Sequence, residues 1–160
     1  MKKILLLLLL LFNVFVNAQN PNFKVDNSTL IWQWVYEDSL DVNNLKQNLK
    51  LEFITDTTGK LKRTNFNDKN LREQIAEFKI EKKQGKYRVT MFNIKIIPMQ
   101  ISMNYGGASS LPDDLLALEA VLIKNDGSIR AAPWGYNMTE VLHKHYLNLF
   151  SKKEKPKEEW

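Results

Sequence analysis

Cysteine is absent from all 160 residues. No disulfide can brace the fold, no thiolate can act as nucleophile or metal ligand, and no thiol is present for the lipid attachment that bacterial lipoproteins require. Histidine is almost as scarce, His143 and His145 being the only two. On a helix an i, i+2 pair points about 200° apart, so the two rings cannot share an ion as an i, i+4 pair does. The sequence therefore implies no metal site and no cofactor. With 6 glycines and 5 prolines the chain is no low-complexity polymer, and 44% hydrophobic with 26% charged residues suits one globular domain.

Long apolar runs are missing too, with one exception. Lys2 and Lys3 precede the unbroken stretch from Ile4 to Phe12, and Val16-Asn17-Ala18 offers the small or aliphatic −3 and −1 side chains that signal peptidase accepts. The segment from Ile4 to Val16 is interrupted by Asn13 and falls short of the roughly 20 apolar residues of a bilayer span. The expectation is a signal peptide over residues 1–18, cleaved after Ala18, and a secreted or periplasmic protein that is neither a lipoprotein nor membrane-anchored.

Charge of one sign is not concentrated anywhere. The formal net charge is +5, two of those charges are Lys2 and Lys3, and the remaining cations alternate with acids, as in Glu77-Phe78-Lys79-Ile80-Glu81-Lys82-Lys83. A nucleic-acid binder gathers its Lys and Arg on one face or segment, so no nucleic acid is expected as partner. Residues 152–160, rich in both Lys and Glu, read as a solvated tail.

What is present is periodicity. Residues 19–29 read as an N-terminal extension and residues 30–151 as a single domain. Leu30 to Glu37, rich in Trp, Ile, Val and Tyr, predicts a strand. Val42, Leu45 and Leu49 then recur at i, i+3, i+7, predicting a helix of about three turns. Leu51 to Thr57 and Lys60 to Phe66 flank Thr58-Gly59 and predict a hairpin turning at that glycine. From Ile75, Ala76, Phe78 and Ile80 alternate with Glu77, Lys79 and Glu81; after Gln84-Gly85 the alternation resumes with Tyr87, Val89 and Met91. The apolar phase then slips to Phe92, Ile94 and Ile96, predicting a β-bulge near Met91.

Pro98 to Asp114 reads as a long connection. Leu115 to Lys124 is ambiguous between helix and strand, and Asn125-Asp126-Gly127 predicts a turn. Met138, Val141, Leu142, Tyr146, Leu149 and Phe150 share one face of a closing helix with Asn137 or Thr139 as cap. The fold class is thus α+β: a two-layer domain with a curved antiparallel sheet and its N-terminal and C-terminal helices on one face, in β-α-β-β-β-β-α order.

The run Leu30-Ile31-Trp32-Gln33-Trp34-Val35-Tyr36-Glu37, the strand Gly85-Lys86-Tyr87-Arg88-Val89-Thr90-Met91-Phe92-Asn93-Ile94 and the closing helix resemble small exported proteins of Bacteroidetes-type bacteria with a TATA-binding-protein-like fold. The likeness spans about Leu30 to Phe150 and rests on strand texture and element order. It implies a fold but brings no activity, cofactor or site residue, and the segment from Pro98 to Asp114 is a departure from it.

Three constellations bear on function. Trp32, Trp34 and Tyr36 share one strand face at a period of two; such a row stacks on a sugar or apolar ligand if exposed, and serves as core if covered. The opposite face, Ile31, Gln33 and Val35, is only partly polar, which favours burial of the aromatic row. Tyr105, and Trp134 within Pro133-Trp134-Gly135-Tyr136, are further aromatic candidates at a ligand entrance. Ser109 or Ser110, with Asp113 or Asp114 and His143 or His145, supply the residue types of a serine hydrolase, but Gly106-Gly107-Ala108-Ser109-Ser110 lacks the Gly-x-Ser-x-Gly elbow. As histidines of an exposed helix rim, His143 and His145 need no function. The expectation is a non-enzymatic envelope or secreted module that binds a protein or small-molecule partner through its sheet face or the cleft beside the Pro98 to Asp114 loop. The alternatives are a small serine hydrolase using the Gly106 to Ser110 loop and a carrier holding an apolar ligand between helices and sheet.

Overall fold

The computed structural model describes residues 20–37, 42–68, 71–98, 115–133 and 136–151. Its spine is the pair of strands that the alternation predicts, Leu71–Lys83 and Lys86–Pro98, each of 13 residues. Gly85, at φ +69°, turns the chain between them, a conformation that costs a residue without Cβ little. Along the first arm Gln74, Ala76, Phe78 and Ile80 are buried. Along the second, burial passes from Val89 and Met91 to Ile94 and Ile96. That slip is a bulge: Ile75 pairs with Lys95 but Glu77 with Phe92, and Asn93 takes up the extra residue at φ 50°.

In chain order the strands are β1 (Phe23–Asp26), β2 (Thr29–Tyr36), β3 (Leu51–Phe53), β4 (Thr58–Asn65), β5 (Leu71–Lys83), β6 (Lys86–Pro98) and β7 (Leu116–Ala117). The helices are α1 (Val42–Lys46), α2 (Leu118–Leu122) and α3 (Met138–Phe150). They build an α+β fold with one open, antiparallel, seven-stranded sheet in the order β1-β2-β6-β5-β4-β3, β7 adding to β6. β1, β7 and α2 are additional to the expected element order. The residues read as an extension include the edge strand β1. Asn27 and Ser28, both at positive φ, fold it back on β2, and Phe23 enters the core.

Two expectations are corrected. The first helix is the short α1 rather than three turns, and Leu49 is 87% exposed. The chain turns at Asn48 instead, whose N–H donates to the Leu45 carbonyl and whose side-chain amide donates to that of Leu149. The β3–β4 turn is formed by residues 54–57, where Thr55 Oγ1 accepts the amides of Thr57 and Thr58, and Gly59 lies inside β4. Glycine is required there for proximity, since a Cβ would collide with the Glu52 carbonyl and the Phe78 ring. Phe53 packs edge-on against Phe78 at 5.0 Å beside the same glycine.

The ambiguous segment divides: Leu116 and Ala117 pair with β6, Leu118–Leu122 is a helical turn and a half, and Ile123 bridges to Ile129 across the turn at Gly127. Asn137 caps α3 by accepting the Glu140 amide. The buried side of α3 (Met138, Leu142, Tyr146, Leu149, Phe150) lies over the inner sheet face, where Phe150 meets Phe78 at 5.2 Å and its carbonyl accepts the Tyr87 hydroxyl. No helix of the described residues is long and apolar enough to cross a membrane.

Candidate functional site

The aromatic row falls on the side of β2 that α3 covers. Trp32 is fully buried; its Nε1–H donates to His143 Nδ1 at 3.0 Å and its ring meets Tyr146 edge-on at 5.2 Å. Half-buried Trp34 lies 5.3 Å from His143. Tyr36 stacks on Tyr87 at 4.6 Å and aims its hydroxyl at the carbonyls of Tyr146 and Leu147. Burial, with Tyr87 adding to it, pushes that hydroxyl well above the usual tyrosine range. The covering helix thus buries Trp32 as core, the reading the sequence favours for this row, and leaves Trp34 and Tyr36 half-buried. Tyr105, Trp134, Ser109, Ser110, Asp113 and Asp114 lie outside the described residues.

The histidines are not the exposed rim expected of them. They serve the packing on different sides of α3, His143 over Trp32 and His145 over Phe66 at 4.9 Å. Desolvation lowers the His143 pKa, which Glu140 partly offsets. Burial, helped by Lys50, pushes His145 down to about 4, and its Nε2 has no hydrogen-bond partner. Among the described residues no three His, Asp or Glu gather as metal ligands. The space that a carrier would need between α3 and the sheet holds Trp32, Phe78, Tyr146 and Phe150, all fully buried.

The outer face is different. β2 pairs with β6 from Trp32–Met91 to Tyr36–Tyr87, while β7 takes the same edge of β6 only at Lys95 and Ile96. In the break beside the Asn93 bulge, Glu119 of α2 reaches across to accept the Leu30 amide at 3.0 Å. Over this break and the neighbouring strands opens a groove of about 640 Å³. Ser28, Thr29, Asn93 and Ala117 line one end; Ile75 lies on its floor; Glu52, Lys60, Lys62, Glu77 and Lys95 project from adjacent strands. No aromatic residue is among its described lining. None of those five charged side chains enters an ion pair among the described residues. Cross-strand neighbours of opposite sign still steady the surface modestly. This grouping is not a sequence motif; each residue reads singly as the polar half of an alternating strand. No family model, curated protein or solved structure matches the chain.

Proposed function

We propose that the protein is a non-enzymatic binding module, exported to the envelope or the medium, that takes its ligand or partner on the outer face of the sheet. The observation that carries this reading is the groove over the β2–β7 break, with unpaired lysines and glutamates around an isoleucine floor. A groove of this size, with charged side chains around an apolar floor, suits recognition of a charged ligand. Support for the non-enzymatic part is the use of both histidines in packing beneath or beside aromatic rings. The export leader at residues 1–18 and kinship with the TATA-binding-protein-like group belong to the same proposal, supported by the n-region lysines and by an antiparallel sheet that carries a closing helix.

Amide-resonance mapping of the isotope-labelled chain against a small library of charged peptides and amino acids tests it. The expected shifts centre on Lys60, Glu77, Asn93 and Lys95. Shifts confined to the α3 side, around His145 and Phe66, would refute the outer-face site. A serine-directed fluorophosphonate probe that labels Ser109 or Ser110 would favour the hydrolase instead.

A further inference from the structure

Of the seven charged side chains that line the groove, Arg63 is paired with Glu73 and Glu119 accepts the Leu30 amide; strand register sorts the other five into two rows. In one, Glu52 is paired with Lys60, and Lys60 with Glu77. In the next, Ile75 pairs with Lys95, and Lys62, one residue beyond the Leu61–Ala76 pair, stands on the other side of Ile75. The first row carries an excess of negative charge; the second is wholly positive. Two residues of strand separate them, about 7 Å.

A ligand of one sign is attracted by one row and repelled by part of the other. A ligand carrying both signs about 7 Å apart meets each row with its opposite. An extended peptide presents side chains i and i+2 on one side at that same spacing. We propose that the groove binds an extended segment of a partner protein with an acidic and a basic side chain two residues apart, the acid over Lys62 and Lys95 and the base over Glu52 and Glu77. Ile75 supplies apolar floor for the methylene stems of those side chains. This inference rests on the outer face being the binding surface.

Fluorescence anisotropy at low salt tests it with three labelled heptapeptides on a Gly/Ser background: one with Glu and Lys two residues apart, one with the same residues adjacent, and one with two Glu. The first is expected to bind tightest, and to weaken about three- to tenfold with Lys62→Ala/Lys95→Ala, with Glu77→Lys and with added salt. Unchanged thermal unfolding of these surface variants shows that the fold is intact. If the two-Glu peptide binds tightest and gains from Glu77→Lys, the site stands but the two-signed ligand is overturned. If no peptide binds and no variant matters, the outer-face reading falls as well. A concentration-dependent dimer abolished by Lys62→Glu/Lys95→Glu would assign the groove to a second copy of the chain and overturn the proposal.

Discussion

Trp32 on β2 and His143 on α3, 111 positions apart in the chain, are joined by a 3.0 Å hydrogen bond from the indole Nε1–H to the imidazole Nδ1. The bond requires a neutral His143 with its proton on Nε2. It ties the closing helix to the sheet at the largest fully buried side chain of the core.

Removing the acceptor leaves the indole N–H of a buried ring unsatisfied. His143→Ala is expected to cost about 1–3 kcal/mol. In a double-mutant cycle with Trp32→Phe, urea unfolding should show a coupling of about 1 kcal/mol between the two positions. Strict additivity would mean that the contact contributes nothing.

His145 predicts a pH dependence. Its pKa is about 4 when folded, against an ordinary 6.5. Between those values the unfolded chain binds more protons, so the neutral ring's contribution is whole above about pH 6.5 and is lost as pH falls toward 4. The loss is on the order of 3 kcal/mol. His145→Phe keeps an aromatic ring against Phe66 and should flatten that part of the stability–pH curve. A variant with the same slope as the parent would place the dependence on other groups.

Gly59→Ala is expected to destabilise by about 1–3 kcal/mol, because the added methyl meets the Glu52 carbonyl and the Phe78 ring rather than open space. Gly85→Ala provides the contrast: nothing lies within 4 Å of its Cβ position, and its cost is the positive φ alone. Thermal unfolding of the two variants, with Phe78→Leu added to the first, checks the assignment. Partial relief of the Gly59→Ala defect by the smaller, non-aromatic partner is the expected outcome, the contact with the Glu52 carbonyl remaining.

Gln74 is fully buried on β5 with both amide atoms unpartnered. Gln74→Met keeps the shape and removes the desolvated dipole, so stability should rise by about 1–2 kcal/mol. A loss in denaturant unfolding would instead show that the amide holds a bound water or a polar ligand inside the core.

Much of the fold is legible because burial on one side of a strand forces alternation. Ala76, Phe78 and Ile80 announce β5, and the phase change from Met91 to Ile94 marks the bulge at Asn93 within two residues of its expected position. The face of α3 reads from its period for the same reason, since Met138, Leu142, Tyr146, Leu149 and Phe150 must all reach the sheet. Leu49 misleads: its i+7 spacing fits a helix, but the Asn48 turn removes it from that face. Gly59 misleads similarly, because glycine signals a turn and a close approach alike.

The order of side chains along the chain thus determined, by itself, that this is an α+β protein, where its principal strands alternate, and that Trp32, Trp34 and Tyr36 share a side. That Trp32 would meet His143, and that lysines and glutamates from separate strands would line one groove, were decided only by the tertiary structure. The physical reason is that periodicity records which residues of one element point the same way. Neighbours from different elements depend on register, bulges and the placement of the covering helix, and none of these is a local property.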